Sequence, residues 1–274
     1  MLVEKIGILV VLFALWNAPS AWSGSLTVQG SGVEEATVQP GEKIEGKIAV
    51  SNPGNEAQNV LIKMSDYLFF ANGKNLRNKP GSDPRSNGQW VSFVPNRLTI
   101  PPKGTEFVKY SILVPNNGNL KGTYWSMLFV ETLPKNHPEF IQEKSSVVSG
   151  KTRLGIQFRL RYGVLMITHI GITGTKALRI IDKSIASEKG NVIFRADIEN
   201  SGERLLRPTV WIDIFDKGQS LGHFKGEQLR IFPGCSARFS INLAKVPKGA
   251  YTSLLTVDTG DESIIGAKYQ LDIK

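Results

Sequence analysis

From Gly24 onward, no stretch of this chain spaces its apolar residues at the helical period. Short runs rich in β-branched and aromatic residues alternate instead with Gly, Pro, Asn and Asp. The first series covers residues 25–29, 43–51, 59–67, 90–100, 105–114, 123–132 and 152–170. A second covers 177–185, 191–199, 209–215, 222–231, 237–243, 251–257 and 264–273. Two blocks of seven short strands predict an all-β chain of two immunoglobulin-like β-sandwich domains in tandem.

The blocks also repeat each other in order. Ile48-Ala49-Val50-Ser51-Asn52-Pro53-Gly54 parallels Ala196-Asp197-Ile198-Glu199-Asn200-Ser201-Gly202. Leu98-Thr99-Ile100 before Pro101 parallels Leu229-Arg230-Ile231 before Phe232-Pro233. Val114-Pro115, then Gly122-Thr123-Tyr124, parallels Val246-Pro247 and Gly249-Ala250-Tyr251. The offset shrinks from 148 to 127 residues, so the first copy holds about twenty extra. They fit best in 71–89 and 116–120. Tyr124 and Tyr251 stand where a sandwich tyrosine bonds back to its corner, and Trp211 where a core tryptophan packs. Gly171 and Gly174 mark a bend, which divides the mature chain into 24–172 and 173–274 with a cleft between them.

Residues 1–23 read as a secretory signal. Lys5 precedes an apolar run from Ile6 to Trp16, and small residues follow, with Ala21 and Ser23, or Ala18 and Ser20, suited to cleavage. The run is too short to span a bilayer, which takes about 20 helical residues. A periplasmic or extracellular protein with no stable membrane insertion after cleavage is expected. The only cysteine, Cys235, rules out an internal disulfide and is expected half-buried in a turn after Pro233-Gly234. A net charge of +9 points either to anionic partners, whether protein subunits, an anionic envelope polymer or a membrane surface, or simply to solubility. No nucleic-acid motif is present.

Catalytic constellations are missing from the sequence. His137, His169 and His223 lie far apart, none with a second ligand at metal spacing. No Gly-x-Ser-x-Gly elbow or phosphate-cradling loop occurs. Asp213, Asp216 and Gly218 read as turn residues rather than a calcium site. A non-catalytic binding protein without metal or cofactor is the expectation.

The most informative segment closes the first block. A long loop, about 133–151, leads into a strictly alternating strand. Leu154, Ile156, Phe158, Leu160 and Tyr162 share one face, and Arg153, Gln157, Arg159 and Arg161 the other. This reads either as a core strand with solvated arginines or as an edge strand offered to a partner, with arginine anchors for an acidic group.

With these residues in place, the chain resembles the periplasmic pilus-assembly chaperones. The local matches are Val94-Pro95 with Leu98 to Pro102, Gly122 to Glu131, the long loop, and Arg153 to Tyr162. The resemblance implies two angled sandwiches that cap a pilin by donating the last strand of the first domain. It implies Arg159 as the carboxylate anchor, with Arg161 as the alternative, and Leu154, Ile156 and Phe158 as contact residues. The family's arginine in the first strand has no counterpart in 25–39. The first block also resembles wall-associated peptidoglycan-binding sandwich proteins, through Pro40-Gly41, Asn52, Pro101 to Gly104 and Gly122-Thr123-Tyr124. That resemblance implies a cell-wall or adhesion module.

Overall fold

The computed structural model describes residues 26–133, 159–260 and 264–273. Every regular element among them is a strand, and the strands form four sheets in two sandwiches. In the first sandwich one sheet runs β1 (Thr27–Val28), β3 (Lys43–Ser51), β8 (Thr105–Leu113) and β6 (Val91–Val94). The other runs β2 (Val33–Val38), β10 (Arg161–Ile170), β9 (Gly122–Leu133), β4 (Gln58–Phe69) and β5 (Asn75–Asn78), with β7 (Arg97–Ile100) beside β4. The second sandwich faces β11 (Leu178–Glu188), β12 (Asn191–Asn200) and β15 (Ser236–Asn242) against β14 (Gln219–Lys225), β13 (Thr209–Asp216), β16 (Gly249–Asp258) and β17 (Ile264–Ile273).

Period-two alternation decides what each sandwich buries. Ile48, Val50, Val108 and Ile112 meet Val60, Ile62, Leu128, Val130, Val164 and Met166 in the first core. Phe194, Ile198, Phe239 and Ile241 meet Val210, Ile212, Ile214 and Leu255 in the second. Each such side chain contributes about 1.5–3 kcal/mol on leaving water.

The repeated asparagines explain why the copies match. Asn52 is fully buried and donates from Nδ2 to the carbonyls of Glu56 (2.7 Å), Ile100 (3.1 Å) and Pro101 (3.1 Å), while Oδ1 accepts from the Gly54 amide at 3.0 Å. Asn200, equally buried, donates to the carbonyls of Arg204 and Ile231, both at 2.7 Å, and accepts from the Gly202 amide at 2.9 Å. One amide side chain satisfies a backbone that turns out of its ladder, at equivalent points of both copies.

Other expectations needed correction. The run 90–100 is two strands, β6 and β7, in different sheets; Pro95, without an N–H, stands between them. The run 222–231 is shifted: β14 begins at Gln219 and ends at Lys225. Strands β2 and β5 lie between the expected runs. Trp211 is not in the core. Val210, Ile212 and Ile214 take the inward phase, so Trp211 faces outward with Asp213, to which its Nε1 donates at 3.1 Å. Tyr251 does make the corner, its hydroxyl donating to the Pro247 carbonyl at 2.9 Å. Tyr124 instead packs at a tilt of 42° against Trp90, with ring centroids 4.7 Å apart, beneath the Arg85 guanidinium. Cys235 is fully buried rather than half-buried, and burial pushes its thiol pKa up to about 11. The leader, His137 and the segment with Arg153, Leu154, Ile156, Gln157 and Phe158 lie outside the described residues.

The two sandwiches share a packed interface. Leu68, Trp125 and Ile167 of the first meet Leu205, Phe232 and Cys235 of the second. The Trp125 and Phe232 rings stand 4.7 Å apart. The extra chain of the first copy builds much of the rim. The Ala71 amide donates to Ser236 Oγ at 2.9 Å, and Arg85 pairs with Glu203 at 2.9 Å. Gly122 (φ +74°) must be glycine, because a Cβ there would sit 2.1 Å from the Glu203 carbonyl oxygen.

Candidate partner-binding site

Among the described residues, the backbone of β10 is paired along the whole of one side and along only part of the other. On one side it pairs along its whole length with β9, from Arg161 opposite Glu131 to Ile170 opposite Gly122. On the other, β2 runs parallel to it only from Leu165 to Ile170. The Leu165 amide donates to the Gly32 carbonyl at 2.9 Å, and the Gly171 amide to Val38 at 2.9 Å. Backbone groups alternate sides along a strand, so the odd-numbered residues of β10 address the β2 side. The Thr132 amide donates to the Leu160 carbonyl at 2.9 Å, which fixes the even-numbered phase toward β9. Arg161 and Gly163 therefore turn backbone groups to that same side beyond the end of β2; Gly32, which leads into β2, passes the Gly163 carbonyl, where a Cβ would lie 3.7 Å from the oxygen, and no strand pairs with either residue on this side among the described residues.

Side chains around this opening are held in place. The Tyr162 hydroxyl donates to the Leu26 carbonyl, tying β10 to the opposite sheet. Arg161 pairs with Glu131 at 2.9 Å and lies over the Phe129 ring at 5.5 Å. Met127 occupies the space above Gly163, where a Cβ would lie 2.4 Å from its sulfur. Arg159 and Leu160 precede the strand and are exposed. Of the anticipated site residues, Arg159 and Arg161 thus stand at the open end of β10; Leu154, Ile156 and Phe158 fall outside the described residues.

Where β2 closes the edge, a cleft opens between the sandwiches. It has a volume of about 540 Å³ and is lined by Phe69 and Leu165 on one side and Arg207, Gln228, Leu229, Arg230 and Phe232 on the other. Neither Arg159 nor Arg161 lines it. Its cations come from the second sandwich, a contribution no local sequence pattern could reveal. Arg207 forks onto Glu35 of β2, at 2.7 and 2.9 Å. Glu35 also meets His169 Nε2 at 2.8 Å, and His169 Nδ1 lies 2.9 Å from Thr123 Oγ1, which accepts from the Leu205 amide at 2.9 Å. Burial by itself would raise the Glu35 carboxyl, but its bonds to Arg207 and His169 outweigh that and hold its pKa below the ordinary value of 4.5. Arg230 remains exposed at the mouth. Among the described residues no three His, Cys, Asp or Glu side chains converge as metal ligands would. What the site offers is a strand edge, apolar walls and guanidinium groups, which is the chemistry of peptide capture.

No protein-family model and no curated protein matches the chain. Solved structures of pilus chaperones match its fold over nearly its full length. The class 5 fimbriae chaperone CfaA is 11% identical, with a TM-score of 0.43 over 89% of this chain and 98% of that one. The CupB2 chaperone of Pseudomonas aeruginosa is 10% identical, with a TM-score of 0.41 over 90% and 100%. The E. coli chaperone DraB is 11% identical, with a TM-score of 0.41 over 92% and 97%. At such identities and scores, the functional reading rests on the geometry of this chain alone.

Proposed function

We propose that this chain is a non-catalytic, chaperone-like protein of the cell envelope that captures a partner polypeptide by strand addition to β10. The observation that carries the reading is the backbone of Arg161 and Gly163, turned to the β2 side of β10 beyond the end of β2. An added strand gains affinity from those backbone groups and specificity from alternate side chains. Arg159 would anchor an acidic group of the partner. The segment before it, with Leu154, Ile156 and Phe158, would supply apolar contacts. The partner's end would reach the cleft, where Gln228 and Arg230 add donors. The apolar N-terminal run fits export to the envelope, where surface subunits are assembled.

A photo-crosslinking residue at Leu160 tests this reading, with Lys245, exposed in the second sandwich, as the comparison site. The expected outcome is a cross-link at position 160 alone, to a peptide whose apolar residues alternate. Equal cross-linking at both positions, or none at 160, would sink the proposal. Arg159→Ala should weaken capture by about 2–5 kcal/mol, because the partner's charge loses its counter-ion. Lys245→Ala should leave capture unchanged.

A further inference from the structure

The outer face of the sheet β1-β3-β8-β6 carries exposed apolar and cationic side chains at regular intervals. Ile48, Val50, Val108, Tyr110 and Ile112 point inward, so the odd-numbered residues of β3 and β8 point out. Three of the large apolar side chains exposed on the molecule lie here: Val94 (63%), Leu113 (58%) and Phe107 (45%). The register sets charge between them. Lys47, Lys109 and Val94 form one row, Ala49 and Phe107 the next, and Lys43 and Leu113 the far end. Lys47 holds its ammonium 4.9 Å from the centre of the Phe107 ring. The face's one carboxylate, Glu45, is tied to Lys43. A shallow hollow of about 330 Å³ lies between the rows, where Ser92, Ser111 and Lys109 join Glu45 at the lining.

From this placement we infer that the face is a docking surface for an anionic lipid bilayer. The charge is complementary: three lysines against one glutamate that is already paired. The spacing is also telling. A protein interface gathers its apolar residues in a central core and leaves charge at the rim. Here the Lys47–Lys109 row separates Phe107 from Leu113, about 20 Å apart along β8 at strand rise. A bilayer surface presents phosphates and acyl chains side by side everywhere, and so meets an interleaved pattern. A second copy of the same face would bring together two surfaces of the same net positive charge. The sheet lies on the far side of the first sandwich from the interface with the second, because Trp125 and Ile167 of the other sheet make that contact. Docking would thus leave the cleft free. The binding is peripheral: lysines in the headgroup layer and three side chains dipping beneath it.

The test is co-sedimentation with phosphatidylcholine vesicles, with and without phosphatidylglycerol, on the full chain. The readout is the extra binding to anionic over neutral vesicles, which cancels any contribution of the apolar N-terminal run. A surface lysine is worth about fivefold in partition near an anionic leaflet, so Lys47→Glu with Lys109→Glu should cut the increment at least tenfold. Lys189→Glu with Lys245→Glu, the same charge change in the second sandwich, should leave it within about twofold. Phe107→Ser with Leu113→Ser should lower vesicle binding several-fold, while retention on a sulfonate resin stays the same. All these positions are exposed, so melting temperatures should hold. No increment for the wild type would overturn the inference. So would equal losses from both lysine pairs, which would mean net charge alone. Unchanged vesicle binding by the Phe107/Leu113 variant would also overturn it, in favour of an acidic polymer or protein.

Discussion

The asparagine corners of the two sandwiches are alike, and the tyrosine corners are not. Asn52 and Asn200 make the same pattern of buried bonds to equivalent backbone groups. Tyr251 bonds back to the Pro247 carbonyl, whereas Tyr124 packs between Trp90 and Arg85. The asparagine serves only the folding of its own sandwich, so both copies keep its job. Tyr124 lies beside the chain that meets the other sandwich, and there the ring supports Arg85 in its pairing with Glu203. The two sandwiches are alike in their internal scaffolding and differ where they meet.

The largest expected effect tests the likeness. Asn52→Ala and Asn200→Ala each leave buried carbonyls without a donor. Each should cost about 3 kcal/mol in chemical denaturation, with the two values close. A cost at one site alone would break the equivalence. The next tests the difference. Tyr251→Phe should cost about 1 kcal/mol and Tyr124→Phe only a few tenths, since among the described residues only the first hydroxyl has a protein acceptor. Equal losses would mean that Tyr124 makes a corner after all.

The smallest effect concerns the interface. Arg85→Ala removes a partly exposed ion pair worth about 0.5 kcal/mol, so overall stability should barely move. The coupling between the halves should weaken, seen as separation of their unfolding transitions. Acid should act in the same direction. The Thr175 amide and Arg85 lower the Glu203 pKa, and Arg207 and His169 outweigh burial at Glu35. A depressed carboxylate contributes stability that is present above its unfolded pKa, near 4.5, and lost as pH falls through the lower folded value. The transitions should therefore separate in the wild type only below pH 4.5, and in Arg85→Ala at a higher pH.

Features carried by local pattern were legible in the sequence. The ranges of β3 and β17 follow from alternation bounded by turn residues, and the asparagine match followed from ordered repeats. Trp211 shows how a prior can mislead. Its neighbours Val210, Ile212 and Ile214 set the inward phase, and reading that phase would have turned the indole outward. Strand β2 was missed because its Val-Glu-Glu-Ala-Thr-Val run follows a glycine-rich lead and lies against a partner about 130 residues away. The arginines of the cleft were hidden for a similar reason. Arg207 and Arg230 belong to the second sandwich, and only tertiary packing brings them beside β10.

The central claim is that β10 offers an open edge, and amide exchange measures this most directly. In the free chain the Arg161 and Gly163 amides should exchange much faster than those of Leu165 and Ile167, which β2 covers. When a strand-forming partner binds, Arg161 and Gly163 should become protected while Leu165 and Ile167 change little. Protection of Arg161 and Gly163 already in the free chain, or their continued fast exchange in the complex, would contradict the account.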